Sequence, residues 1–138
     1  MTSRRRRLLG SVAAALVVLA VMPSVAQAAC SQWNISRAVI RQSNGYFVIF
    51  EFDQAGTLLR GPAQAKDRRG NPVLRGDVEG TLNGADIHFT VTWNSFSAGI
   101  YDGKVDADGL VFGTSYDKYT PTSTATWNTS RRANCVAP

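Results

Sequence analysis

From residue 30 onward the chain is punctuated at short, near-regular intervals by turn-forming pairs: Asn44-Gly45, Ala55-Gly56, Asn83-Gly84 and Asp108-Gly109. Between them lie short runs rich in Val, Ile, Thr, Phe and Tyr, and none keeps the 3.6-residue apolar period of a helix. The glycines supply the positive φ that tight hairpins demand. The pattern predicts an all-β chain with strands over 32–42, 46–54, 57–65, 77–82, 85–94, 98–105, 110–117 and 123–129, and one long connection at 66–76. No linker, low-complexity segment or domain boundary interrupts it.

Each turn also predicts a cross-strand register. A two-residue Asn83-Gly84 loop sets Leu82 against Ala85, Gly80 against Ile87 and Val78 against Phe89. A loop at 95–97 sets Trp93 against Gly99, Val91 against Tyr101 and Phe89 against Gly103. A four-residue loop from Asp106 to Gly109 sets Val105 against Leu110 and Gly103 against Phe112, and Ala55-Gly56 sets Phe50 against Gly61 and Phe52 against Leu59. These registers agree on one inward face: Phe50, Phe52, Leu59, Val78, Leu82, Ile87, Phe89, Val91, Trp93, Tyr101, Val105, Leu110 and Phe112. Gly61, Gly99 and Gly103 lie opposite large aromatics, where bare backbone lets a sheet bend and a ring cover it. The first strand is less regular, since Ile35 and Val39 would point inward together with Arg37; a bulge is expected there. The expected fold is an eight-stranded antiparallel meander, closed as an up-and-down barrel.

The stretch Phe89-Thr90-Val91-Thr92-Trp93, then Tyr101-Asp102-Gly103 and Ala125-Thr126-Trp127, is similar in order to the C-terminal half of avidin-like barrels. The meander as a whole resembles the calycin group of lipocalins and avidins. The resemblance covers roughly residues 80–130 and rests on pattern. It implies an architecture, with Trp93 and Trp127 matching the tryptophans between which avidin-like proteins hold biotin. Lipocalins close the barrel base with a Gly-x-Trp. Here Ser31-Gln32-Trp33 lacks the Gly, with Arg131 and Arg132 as stacking partners.

Residues 1–28 read as a secretory signal peptide: Arg4 to Arg7, an apolar run from Leu8 to Met22, Pro23, then Ala26-Gln27-Ala28 as the cleavage site. That run is shorter than the ~20 residues a spanning helix needs, so no membrane anchor is expected after cleavage. Residues 29–138 form a single secreted domain, extracellular or in the cell envelope. Cys30 and Cys135, at its two ends, are expected to form a disulfide joining the termini in an oxidising compartment, rather than Cys30 carrying a lipid. The formal charge of +5 belongs mainly to the leader, because from Ala29 onward eleven Lys and Arg meet ten Asp and Glu. A nucleic-acid partner is not expected from that balance.

The chain has one histidine, His88, which the registers put on the outer face between Glu79 and Lys104. A catalytic base needs a pocket and an orienting partner, so no catalytic residue is assigned and the chain is read as a non-enzyme. No cofactor or metal-binding motif is found. Asp106-Ala107-Asp108-Gly109 lacks the distal Glu of a calcium loop and reads as a turn. Arg75-Gly76-Asp77 reads as a loop entering a strand.

Alternate turns share one end of a meander, which brings the connections near 43–45, 66–76, 95–97 and 117–122 together. The inward residues nearest that end are Tyr46, Trp93, Tyr101, Thr114 and Tyr116, aromatic faces with polar tips of the kind a ligand site uses. The adjoining loop carries Lys66, Arg68, Arg69 and Arg75 against Asp67 alone. The expected function is binding of a small amphipathic or acidic ligand at this mouth, with Tyr46, Trp93, Tyr101, Thr114, Tyr116, Arg68 and Arg69 as site residues. The alternative is a protein-interaction or inhibitor module with a solid barrel and binding loops. Trp33 and Trp127 are expected toward the opposite end as a plug.

Overall fold

A computed structural model describes residues 29–137; the expected signal peptide lies outside them. The chain forms β1 (Gln32–Asn34), β2 (Arg37–Gln42), β3 (Phe47–Glu51), β4 (Asp53–Ala55), β5 (Leu58–Lys66), β6 (Pro72–Asn83), β7 (Asp86–Trp93), β8 (Ala98–Val105), β9 (Val111–Asp117), β10 (Thr124–Thr129) and β11 (Asn134–Ala137). Strands β2, β3, β5, β6, β7, β8, β9 and β10 pair antiparallel in that order, and β10 pairs back to β2, closing an eight-stranded barrel. Closure pairs each of the eight barrel strands on both sides. The short β4 continues β3 along β5, and β1 pairs with β11 as a separate two-stranded sheet.

The long connection expected at 66–76 does not exist. Strand β6 starts at Pro72, and Val73, Leu74, Arg75 and Gly76 alternate outward and inward along β5. Only a tight turn joins β5 to β6, with the Asp67 N–H donating to the Asn71 carbonyl and that of Gly70 to the Asp67 carbonyl. The same pair of bonds recurs from Gln42 to Tyr46 and from Asp106 to Leu110, with Gly45, Gly70 and Gly109 at φ +90°, +84° and +84°. These are three-residue loops whose last residue is left-handed, a position glycine fills without steric cost.

That loop length corrects the register of β9. With Ala107, Asp108 and Gly109 in the turn, Val105 pairs with Val111 and Gly103 with Gly113. The odd slip reverses the faces: Val111, Gly113 and Ser115 point inward, whereas Leu110, Phe112, Thr114 and Tyr116 point outward, with Phe112 half exposed. The other registers slip by two and keep their faces. Gly84 and Ala85 form the β6–β7 turn, Leu82 pairing with Ile87 and Phe89 with Tyr101. Likewise Phe50 pairs with Ala63 and Gln54 with Leu59. Gly84, at φ +59°, sits where a type II′ turn reserves a place for glycine.

In β2, Ala38 and Ile40 are buried while Arg37 points out, where it meets Glu51 at 3.7 Å. Val39, expected inward with Ile35, shares the outer face with Arg37. The irregularity expected in this stretch is a break at 35–36 between β1 and β2, together with a register shift between Gln32 and Trp33.

The barrel centre is an aromatic stack. Phe89 lies flat on Tyr101 with ring centroids 4.7 Å apart, Phe50 meets both edge-on, and Trp127 packs at 6.1 Å from Phe89. Such geometries add roughly 0.5–1.5 kcal/mol per pair beyond area burial. Gly103 lies beneath the Trp127 ring, where a Cβ would come within 2.7 Å of two ring carbons.

The β1–β11 sheet closes the end of the barrel that holds the β6–β7 and β8–β9 turns. Trp33 is buried there, the Gln32 side chain donates to the Leu82 carbonyl and accepts from the Gly84 N–H, and Gln54 donates to the Trp33 carbonyl. Cys30 and Cys135 form a disulfide that joins the two ends of the domain, and both cysteines are thereby accounted for.

Candidate functional site

On β5 and β9 the inward residues shrink from the closed base to the opposite end: Leu59, Gly61, Ala63, Ala65 and Val111, Gly113, Ser115. Large apolar side chains fill the base, whereas at the far end Ala65, Gly99 and Ser115 leave space between Val48, Leu74 and Trp93. The result is an open cup of about 210 Å³ over the aromatic stack, lined among others by Gln42, Tyr46, Trp93, Tyr101, Ser115 and Tyr116.

Four of the seven expected site residues meet at this cup. Trp93 and Tyr101 are buried in its wall and floor, and Tyr46 and Tyr116 form the rim. Tyr116 reaches the rim although it points outward along β9. Thr114 does not reach the cup, because the register correction turns it to the outer face beside Asp102 and Thr126. Arg68 and Arg69 do not line it either; they flank a separate shallow depression shared with Asn44, Gly45, Tyr46 and Asp67. Trp33 lies at the base as expected. Trp127 sits mid-barrel, donating from Nε1 to the Thr114 carbonyl, and belongs to the stack beneath the cup.

Three polar groups make the floor, and two of them were missed in the sequence. Gln42 donates from Nε2 to the Tyr101 hydroxyl at 3.3 Å and accepts from the Ser115 hydroxyl at 3.4 Å. Burial pushes the Tyr101 phenol up to about 12 against a smaller opposing effect of Gln42, so it stays protonated and can donate at neutral pH. Among the described residues no fully buried side-chain nitrogen or oxygen lacks a partner. Ser115 could have been found only with the three-residue β8–β9 loop in hand, and Gln42 only with β2 faced correctly.

The hairpins at the mouth carry the other unusual feature. The β7–β8 loop closes with the Trp93 N–H donating to the Ser97 carbonyl, which makes Asn94, Ser95 and Phe96 a three-residue loop. Its last residue holds the left-handed position that Gly45, Gly70 and Gly109 hold in the sister loops, yet here it is Phe96, at φ +59° and 99% exposed. A bulky residue in that conformation costs of order 1 kcal/mol or more. Tyr119, on the β9–β10 loop, is also well exposed.

His88 is on the outer face as expected, but its cross-strand neighbours are Thr81 and Asp102 rather than Glu79 and Lys104. Its Nδ1 contacts the Asp102 carboxylate, with both side chains more than half exposed. The Asp106 carboxylate accepts from the Asp108 and Leu110 N–H groups, the turn role expected of it. Arg75-Gly76-Asp77 lies within β6 rather than at a loop tip. Comparison with protein-family models, with curated proteins and with solved structures found no match.

Proposed function

We propose that this chain is an exported small β-barrel binding protein that holds, rather than converts, a small amphipathic or acidic ligand at the barrel mouth. The observation that carries the reading is the change of lumen along the axis, solid below and open above, with tyrosine and tryptophan faces over a Gln42–Tyr101–Ser115 floor. The cup is smaller than the ~300 Å³ lower bound for drug-sized ligands. The ligand is therefore one ring or a short chain. The closed meander and the inward Trp93 and Trp127 support a calycin-like use of the barrel, and the disulfide supports an oxidising compartment.

Native mass spectrometry of the exported protein, followed by titration of the released compound, tests this. A retained small molecule is expected, with a fluorescence response that Trp93→Phe removes and Trp127→Phe preserves. A response that survives Trp93→Phe and vanishes in Trp33→Phe would move the site to the other end.

Phe96 favours a second reading, in which the mouth loops grip another protein. An exposed aromatic kept at a glycine position is the kind of side chain that anchors an interface. Partner binding that is lost in Phe96→Ser while the apo protein retains no small molecule would select it.

A further inference from the structure

The basic side chains expected to serve the mouth are turned elsewhere. Lys66 and Arg75 point outward from β5 and β6, and the hydrogen-bonded register carries their rows across to Phe47 and Arg41 on one side and to Gln64, Ile49 and Val39 on the other. Arg68 and Arg69 cap the same strands. By strand, the β2–β3–β5–β6 side (residues 37–83) holds seven Lys and Arg against five Asp and Glu, and residues 84–137 hold four against five. The surplus is modest in total and lies in the upper half of the first side, beyond Asp77 and Glu79 of β6.

Within the basic side the lower half is balanced, with Arg37 at Glu51 and Arg60 between Glu79 and Asp53 across the strands. The upper half is not. Among the described residues, Arg41, Lys66, Arg68, Arg69 and Arg75 have no carboxylate within 4 Å. The one acid among them, Asp67, is committed to its own turn, accepting from the N–H groups of Arg69 and Asn71. A shallow trough of about 370 Å³ runs along this wall; Arg37 and its partner Glu51 line its lower end, and Ile49, Gln64, Lys66 and Arg75 line the rest.

We infer that this outer wall, independently of the cup, binds an extended anionic polysaccharide, a chain of carboxylate- or sulfate-bearing sugars lying along the trough. Lys66 and Arg75 line the trough, Arg41 stands two strands from Lys66 across Phe47, and Arg68 and Arg69 crown the β5–β6 turn. Five uncompensated cations spread over the upper wall, rather than converging on one point, suit an extended anion better than a single small one. The wall of a barrel is convex and its apolar members Val39, Phe47 and Ile49 are half-buried, so it offers no protruding anchor for a lipid bilayer. Phe47 already lies under the Arg41 guanidinium, and Tyr46, beside Arg68 and Arg69, belongs to the rim of the cup, so no row of free rings runs along the trough for stacking nucleobases.

Immobilised dextran sulfate, with neutral dextran as blank, tests the inference on the exported protein. Wild type should bind dextran sulfate and not dextran, and should lose most of that binding between 50 mM and 500 mM salt as the charges are screened. The Lys66→Gln/Arg68→Gln/Arg75→Gln triple should weaken it by about tenfold or more, the loss of roughly 1.4 kcal/mol. The charge-matched Lys104→Gln/Lys118→Gln/Arg132→Gln triple should stay within about twofold of wild type. Thermal midpoints confirm folding, and the single variants Arg75→Gln and Arg68→Gln, each expected to weaken binding about two- to threefold, replace the first triple should it not fold. Equal losses in both triples, no binding by wild type at 50 mM salt, or tighter binding to phosphatidylglycerol vesicles or a single-stranded oligonucleotide would each overturn the inference.

Discussion

The two ends of this barrel are made from the same strands and behave as different materials. At the base, Phe52, Leu59, Leu82, Ile87, Val105 and Val111 fill the lumen, and a two-stranded lid with Trp33 and a disulfide is fastened over them. At the mouth the inward positions of those strands carry Ala65, Gly99 and Ser115, and four hairpin turns stand open around them. The difference comes from the lid at one end and from small inward residues on β5, β8 and β9 at the other, since strand pairing is continuous between them. It follows that stability resides in the base and middle, and that the mouth can carry strain such as that of Phe96 and cavities such as the cup.

The largest test of that division is the lid. Replacing both Cys30 and Cys135 by Ala frees a loop of about a hundred residues and should cost about 4–5 kcal/mol in the chain-entropy model, read from urea midpoints. A loss below about 1 kcal/mol would mean the base is closed without its staple.

The middle should show itself in alkali. The Tyr101 pKa is raised in the folded state, so the folded protein holds that proton more tightly than the unfolded chain does. Its contribution is full below pH 10 and is lost as pH rises through about 12, a fall of roughly 2–3 kcal/mol. Denaturation curves at pH 9 and pH 12 should show this drop in wild type and lose it in Tyr101→Phe. An identical drop in both proteins would deny the buried phenol its part.

Gly103→Val pushes a branched side chain into the Trp127 ring and should destabilise by about 1–3 kcal/mol through overpacking. An unchanged midpoint would mean that Trp127 does not cover that backbone. The smallest effect has the opposite sign. Phe96→Gly should raise stability by about 0.5–1 kcal/mol, because glycine relieves the left-handed strain and nothing buried is lost. A decrease in thermal midpoint would show that Phe96 packs against something in the free protein.

Much of the base was legible in the sequence and part of the mouth was not. The inward faces of β3, β6, β7 and β8 were readable because the errors in their turns were of two residues, which preserve the side each residue faces. β9 was misread because Asp106 and Leu110 close a three-residue loop around a left-handed Gly109, and a slip of one exchanged Ser115 for Thr114 and Val111 for Phe112. Strand β6 began five residues earlier than expected, since Pro72, Arg75 and Gly76 suit a loop and only pairing with β5 makes them a strand. That tertiary pairing also turned Lys66 and Arg75 to the outer wall. The short β11 carries no alternation of its own and forms against β1 beside the disulfide.

Two adjacent inward positions on one strand test the division between ends most directly. Ala63 faces Phe50 in the filled half, and Ala65 lines the cup. Paired urea denaturation of Ala63→Leu and Ala65→Leu should show a loss of about 1–3 kcal/mol for the first and a clearly smaller loss for the second, whose larger side chain can extend into the cup that Ala65 lines. Equal losses at the two positions would mean that the mouth is packed as tightly as the base, and would contradict the account.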